Sequence, residues 1–454
     1  MSPSLSASDI AVLAERVTGP VLARDDPGLA AEVTGINLQL RHSPEVTVGV
    51  ASENDVVEAV RFADAHDLPI RVQATGHGAH QVYADGMLIT TRRLDALNVD
   101  VDAHTATIGA GLRWADVVAA AAPHGLAPIT GSAPGVGVVG FLLGGGVGPL
   151  ARSHGFGADW VRSVRLVTGT GELVTASADE NPELFWAFRG GKAGLGVVTE
   201  VTVELAAIPE LYAGSLLFDT AHVDDVLRVW ARWAREVPDT VTSAVAVLRL
   251  PDMEMVPPPM RGRTVLSVRV AVPGPAETGE AVIAPLRAAA PALLDDVSVL
   301  PLDQIGRIHN DPDGPSPIQA WSSGYALTGL DDELVEVLVR HIGGDAESPF
   351  AIAEVRHIGG QQAPRTAVDS AAGGRDSAFV FGLNGLTPEP TLERFPAAAA
   401  PIVEALGPWL APQTTANYVN ESDPDVFARR AWAPDVAERL RTVRSRVNPR
   451  GLVH

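Results

Sequence analysis

Cysteine is absent from this 454-residue chain. Disulfides, thiolate metal sites and a cysteine nucleophile are therefore excluded. Lysine is nearly absent: Lys192 is the only one, and arginine supplies the remaining positive charge. That scarcity argues against a P-loop nucleoside triphosphatase, whose glycine loop ends in a lysine. Positive charge is short overall. The net charge of −21 speaks against a broad nucleic-acid or anionic-membrane surface, each of which needs clustered cations. No apolar run is long enough to cross a bilayer. The opening MSPSLSASDIAVLAERV lacks the basic start and long apolar segment of a secretory signal, so a cytoplasmic location is expected.

What is present is glycine, 44 residues of it, most densely in GVGVVGFLLGGGVG at 135–148. The length itself predicts at least two domains. Residues 45–110 read as alternating helix and strand. Ser52 and Asp55 have capping-box spacing ahead of the helically spaced Val56, Val60 and Ala63. A short strand over 70–74 runs into Thr75-Gly76-His77-Gly78, a loop with two residues free to take positive φ. Further strands are expected at 87–91 and 105–108, and a helix at 112–122. WVRSVRLVTGTGELVTAS alternates about a central Gly-Thr-Gly and predicts a hairpin. A helix over 182–188 and a strand over 197–205 follow. Beyond Pro209 the texture changes to helices (222–235, 331–341, 391–406) among β-rich runs. The expected divisions are 1–207, 208–412 and a C-terminal 413–454 that returns to the first domain.

Gly135, Gly137 and Gly140 satisfy G-x-G-x-x-G, yet a Rossmann loop must follow a strand and open a helix. Here the upstream segment is broken by Gly131 and Pro134. Gly144, Gly145, Gly146 and Gly148 would each weaken a following helix by about 1 kcal/mol. No acidic residue ends a second strand at the usual distance. The density is better explained by backbone N–H groups approaching an anion such as a buried pyrophosphate. Plain turns are the simpler explanation to be beaten.

Taken together, LPIRVQATGHGAH (68–80), ITGSAPGVGVVGFLLGGGVGPLARSHGFGADW (129–160) and NPELFWAFRGGKAGLGVVTEVTVEL (181–205) resemble the berberine-bridge-enzyme-like branch of the vanillyl-alcohol-oxidase flavoprotein family, in its bacterial 6-hydroxynicotine-oxidase type. The likeness is close over about 40–206 and returns at EVRHIGG (354–360) and NYVN (417–420). It implies an α+β fold: a PCMH-type FAD-binding domain of two α+β subdomains, and a substrate domain with an antiparallel sheet covered by helices.

The resemblance also implies a site. Val72, Gln73, Ala74, Thr75, Gly76, His77 and Gly78 would wrap the FAD together with Gly131, Ser132, Gly135, Val136, Gly137, Gly140, Gly144, Gly145, Gly146 and Gly148. Gly196, Val198 and Asn420 would add cofactor contacts. His77 matches the histidine bonded to the flavin 8α-methyl carbon, and an imidazole offers a nucleophilic nitrogen at neutral pH. Many relatives carry a second, cysteinyl bond; its position falls on Ala133, so a single linkage is implied. Tyr418 of Tyr-x-Asn would reach the flavin edge as the first candidate for the base. A phenol needs help to act so, its ordinary pKa being near 10. Glu354 is the second candidate. It and His357 are three residues apart on a strand, hence on opposite faces, and one of the two can face the pocket. Arg375 and Tyr325 are polar residues with ordinary surface or core roles as the simpler reading. His80, near His77, lacks a third ligand of suitable spacing, so no metal is expected.

The chain departs from the family at Thr75, where Gly-Gly-His is common, and at Gly194 and Leu195, where Asn and Phe are common. The implied activity is hydride transfer from an alcohol or amine carbon of a small molecule or secondary-metabolite intermediate to flavin N5. O2 would reoxidise the flavin to give H2O2. The expected partners are that substrate and O2, with no nucleic acid and no membrane, in a monomer or homodimer. Rival readings are a flavin dehydrogenase, oxidative cyclase or redox-neutral enzyme on the same fold, and a flavoprotein that sequesters a drug or metabolite. A nicotinamide-dependent dehydrogenase rests on G-x-G-x-x-G alone.

Overall fold

The computed structural model describes residues 5–254, 256, 258–311, 314, 319–359, 369–387 and 392–454. Gly360 and Thr391, at the ends of two segments expected above, lie outside them. The first sheet contains β1 (Val21–Ala23), β2 (Val46–Gly49), β3 (Ile70–Gln73) and β4 (Met87–Thr90) in the order β1-β2-β4-β3. β4 pairs in parallel with both β2 and β3. Parallel strands need a crossover, and α1 (Glu53–Ala65) supplies the one from β2 to β3, which flank β4. α1 starts at the expected cap: the Ser52 hydroxyl accepts the Asp55 N–H at 3.1 Å. Burial would raise the Asp55 carboxyl, but N–H donors from Thr18, Gly19 and Ala51 and two hydroxyls hold it down to about 2. Val56, Ala59, Val60 and Ala63 are fully buried in the core they share with this sheet. The chain end returns here: Val453 bridges in parallel to Ile70, with Ile70 donating to Leu452 and His454 to Ile70. β3, and the loop that follows it, are thus held from both sides.

The second sheet is antiparallel, in the order β5-β6-β9-β7-β8: β5 (Leu97–Asp100), β6 (Thr105–Gly109), β7 (Val161–Val167), β8 (Leu173–Ser177) and β9 (Val197–Glu204). β7 and β8 form the hairpin predicted about Gly169-Thr170-Gly171. α2 (Trp114–Ala121) and α3 (Val138–Leu143) pack into its core.

The third sheet runs β13-β10-β12-β11-β15-β16-β14, with β10 (Leu211–Asp219), β11 (Thr242–Arg249), β12 (Thr264–Pro273), β13 (Ala292–Asp295), β14 (Gln319–Leu327), β15 (Ile352–His357) and β16 (Phe379–Thr387). Its pairings are antiparallel. One face is covered by α4 (Val223–Ala234), α5 (Ala276–Arg287), α6 (Asp332–Ile342) and α7 (Arg394–Leu406). α4 shows why: Val223, Val226, Leu227, Trp230, Ala231 and Ala234 recur at helical spacing, and all are buried. α5 lies outside the helices expected from periodicity, because Gly279 and Pro285 interrupt its pattern. The architecture is the α+β arrangement expected. α8 (Pro434–Val447) leaves the third sheet and buries Leu440 and Val443 in the core of the second.

Candidate active site

The loop after β3 is built to a tight specification. Gln73 Nε2 donates to the Val33 carbonyl at 2.8 Å, and Ile36 N–H donates to the Thr75 carbonyl at 3.0 Å. Gly76 has φ +76, and a Cβ there would sit 3.0 Å from the Gly35 backbone, so both positions exclude a side chain. The Thr75 hydroxyl lies 2.9 Å from His77 Nδ1. Thr75 and His77 line a cleft of about 270 Å³ with Ala74, Gly35, Gly111 and Gly135, and with Arg92 and Arg113. Among the described residues no carboxylate lines it, and its two guanidiniums suit an anion.

An FAD fits the chemistry of these walls. Among the described residues, the N–H groups of Thr75, Gly76 and Gly78 donate to no protein acceptor. Buried polar atoms nearby also lack partners among the described residues: Thr130 Oγ1 before the glycine block and Thr415 Oγ1 behind it. Buried groups of this kind are normally satisfied, and an extended, polar, anionic dinucleotide offers acceptors and donors along its length.

The glycine block divides in two. Gly137 caps the start of α3, 3.5 Å (as a Cβ) from Thr75, and Gly140 opens onto free space. A helix does follow, but it lasts six residues and stops at Gly144. The segment before it forms no regular strand. The later glycines serve packing. A Cβ would meet Asn417 Oδ1 at Gly144, Phe141 at Gly146, and the Thr130 carbonyl at Gly148. Gly145 has φ +103. For this half, close chain approach accounts for the residue without a ligand. Gly196 likewise has φ +134 with Val167 O within 2.5 Å of its Cβ position, and Val198 is buried in the core of the second sheet. Val72 is one-third exposed on β3, and Gln73 supports the loop from inside.

A second group of candidate residues lies on the third sheet, on the face turned away from α4–α7. Ladder register places Glu354 opposite Ala246 and Gly382, and Arg356 opposite Ala244 and Val380. Small neighbours leave room for long side chains here. Glu354 is ion-paired to Arg269 through Oε1 and to Arg356 through Oε2, the latter at 2.5 Å. His309 Nδ1 lies 3.1 Å from Arg269 Nη1 and 3.5 Å from Glu354. Burial would raise the Glu354 carboxyl, but Arg356 and Arg269 outweigh it and hold it well below the usual range. Burial and the same two guanidiniums push His309 down to about 4. Arg356 also reaches the Ser132 hydroxyl at 3.4 Å and so ties this wall to the glycine-rich loop.

Tyr418 joins the same group. It follows a turn in which its N–H donates to Thr415, and its carbonyl accepts from Gly324 N–H at 2.8 Å. Gly324 has no room for a Cβ, because the Tyr418 ring lies over it. Burial raises the Tyr418 phenol and Arg356 pulls it back. Asn420 is half-buried two residues on.

Glu354 and His357 do take opposite faces. His357 points to the helix side, stacked on Phe379 at 4.4 Å, and is pushed down to about 3 by burial. Tyr325 lies on the helix side under Arg430. Arg375 is bonded to Asp159 and Ser370, and His80 is an exposed loop residue. Arg269, His309, Asp311 and Arg356 escape sequence reading. They come from three separate segments, and the signal available was the polar alternation Glu-x-Arg on a strand.

A family model described as an FAD binding domain matches residues 44–177. The chain is 26% identical to the uncharacterized FAD-linked oxidoreductase YgaK of Bacillus subtilis (strain 168), over 96% of this chain and 95% of that one. It is 34% identical over 235 residues to (R)-6-hydroxynicotine oxidase of Paenarthrobacter nicotinovorans, a match spanning 51% of this chain and 49% of that enzyme. The crystal structure of 6-hydroxy-D-nicotine oxidase from Arthrobacter nicotinovorans superposes with a TM-score of 0.83 at 25% identity, covering 96% of both chains.

Proposed function

We propose that the chain, whose residues 44–177 match an FAD binding domain, is an FAD-linked oxidoreductase of the vanillyl-alcohol-oxidase and berberine-bridge-enzyme-like family, and an oxidase carrying one FAD bonded through His77. Its substrate is a small molecule, or a secondary-metabolite intermediate, with an oxidisable alcohol or amine carbon. FAD held there would supply a two-electron acceptor for hydride, with O2 and two protons as the route to H2O2. The observation that carries the reading is the pairing of two walls. The loop of His77, with amides at 75, 76 and 78 that donate to no acceptor among the described residues, is one, and Tyr418 set against Arg356 is the other.

The residues divide the work. The amides of 75–78 and the cleft arginines hold the dinucleotide, with Gly137 and Gly140 giving it close access to α3. Asn420 orients the ring or its ribityl chain. Tyr418 Oη takes the proton from the substrate O–H or N–H as hydride leaves the neighbouring carbon. The acceptor is the phenolate, which becomes the neutral phenol on taking that proton; Arg356 favours the phenolate against the burial that raises the group. Glu354 is a positioning charge in this scheme. Held ionised by two guanidiniums, it is a weak proton acceptor, and it keeps Arg356 aimed at Tyr418.

The test is direct. The purified protein is denatured in acid, and the washed pellet is examined for flavin absorbance beside His77→Ala. Yellow wild type and colourless variant are expected. A colourless wild type would overturn the covalent assignment. Candidate alcohols and amines are then screened for H2O2. Turnover with an artificial acceptor but no peroxide would mark a dehydrogenase instead.

A further inference from the structure

We propose that the substrate sits over Gly382 on the third sheet, and that Asn384 is a specificity-determining residue which recognises a neutral hydrogen-bonding group of the substrate about 7 Å from the oxidised carbon. The inference rests on Tyr418 as the proton acceptor and deepens that reading. Residues of β16 alternate between two faces. Phe379, Phe381 and Leu383 enter the core covered by α4–α7, so Val380, Gly382, Asn384 and Leu386 share the other face. Tyr418 packs against the small cluster that contains Val380, and its ring lies over Gly324, the ladder partner of Gly382. On its other side Gly382 faces Glu354, whose next neighbour is Ala246. A Cβ at Gly382 would meet nothing within 4 Å. Open space therefore lies in the middle of the sheet, between the strand of Glu354 and the strand that Tyr418 covers.

The next row along the strands reads what lies beyond. Two residues of antiparallel strand advance about 7 Å. That step carries the face from Gly382 to Asn384, which stands between Ser322 on β14 and Ile352 on β15. Asn384 is half-buried, and its side-chain amide makes no hydrogen bond among the described residues. Such an amide offers donors and an acceptor but no charge. Both of its ladder neighbours are uncharged as well. A neutral carboxamide, hydroxyl or ketone matches this row. A charged group would lose hydration there without gaining a counter-charge. One row further on, Ala320 and Leu386 are paired and exposed, so the track opens to solvent at that end.

The probes are para-(hydroxymethyl)benzamide and para-(aminomethyl)benzamide, whose carboxamide stands about that far from the benzylic carbon. Beside them are para-methylbenzyl alcohol and para-methylbenzylamine, which lack it. Flavin bleaching is followed without oxygen at rising probe concentration, which gives affinity and reduction rate separately and does not depend on the final acceptor. Wild type is expected to bind each carboxamide about tenfold more tightly than its methyl counterpart. Asn384→Leu is expected to remove that difference and leave the reduction rate and the affinity for the methyl probes as they were. Asn384→Ala gives the same reading should the leucine disturb folding. Gly382→Val, which fills the seat, is expected to weaken binding of every probe. A preference that persists in the Asn384 variants, or that never appears in wild type, overturns the role of Asn384. Unchanged affinities in Gly382→Val overturn the seat. Flavin-bearing wild type that no probe bleaches fails earlier, at the oxidase reading itself.

Discussion

The two walls of the site are made in opposite ways. The cleft around His77 is built from backbone, in two short continuous stretches where glycine lets chain approach chain. The wall around Tyr418 is built from charged side chains, brought together from β12, β15, the 302–311 segment and the turn before residue 420. A backbone site tolerates exchange of many side chains but few added atoms. A side-chain site tolerates added atoms poorly and lost partners worse, because each charge there is buried against another.

That contrast can be broken experimentally. The largest effect should come from Tyr418→Phe. Loss of the proton acceptor is expected to lower kcat/KM about 10²–10⁴-fold while the bound flavin spectrum stays unchanged; wild-type rates would remove Tyr418 from the proton path. Next, Glu354→Gln leaves Arg269 and Arg356 facing each other without their shared counter-charge. A stability loss of about 3–5 kcal/mol is expected in urea denaturation, and a loss below 1 kcal/mol would mean that water screens this wall.

The backbone wall offers a paired test. Gly148→Ala puts a methyl against the Thr130 carbonyl and should cost about 1–3 kcal/mol. Gly140→Ala meets open space, so its stability should hold or rise slightly, by up to about 1 kcal/mol, while FAD affinity in a His77→Ala background falls. Equal FAD binding by both Gly140 variants would show that the cofactor does not use that space.

The smallest effect is spread over pH. His309 and His357 have folded pKa values depressed to about 4 and about 3. Below pH 6.5 the unfolded chain therefore takes up protons that the folded chain refuses. Their stabilisation is complete above about pH 6.5 and declines as pH falls toward 4, by about 1.4 kcal/mol per pH unit for each histidine. Glu354 adds a further loss below its unfolded value, since its folded carboxyl is depressed too. His309→Gln should flatten the slope between pH 6 and 4 by about one proton; an unchanged slope would place His309 in contact with solvent.

How much of this was legible depended on sequence distance. The Ser52 cap, the Gly-Thr-Gly hairpin, the helix Pro182–Phe188 and the opposed faces of Glu354 and His357 follow from periods of 3.6 and 2 and from turn chemistry. The glycine block was legible as unusual, but its division was not. Whether a missing Cβ faces open space, as at Gly140, or makes room for Thr130, as at Gly148, depends on what the chain folds against it. The likeness to a flavoprotein family rested on ordered local motifs, and the FAD binding domain match covers the same region.

The sequence by itself determined the local geometry, the absence of any cysteinyl chemistry and the class of ligand the glycine loops could hold. Those properties belong to residues within a few positions of one another, where backbone sterics and short-range hydrogen bonds decide. Only the tertiary structure decided that Arg269, Glu354, Arg356 and His309 form one buried group beside Tyr418, and that Glu354 is spoken for by two guanidiniums. Charges interact through space at 3–4 Å whatever their separation along the chain, and strand register, not spacing, sets who meets whom.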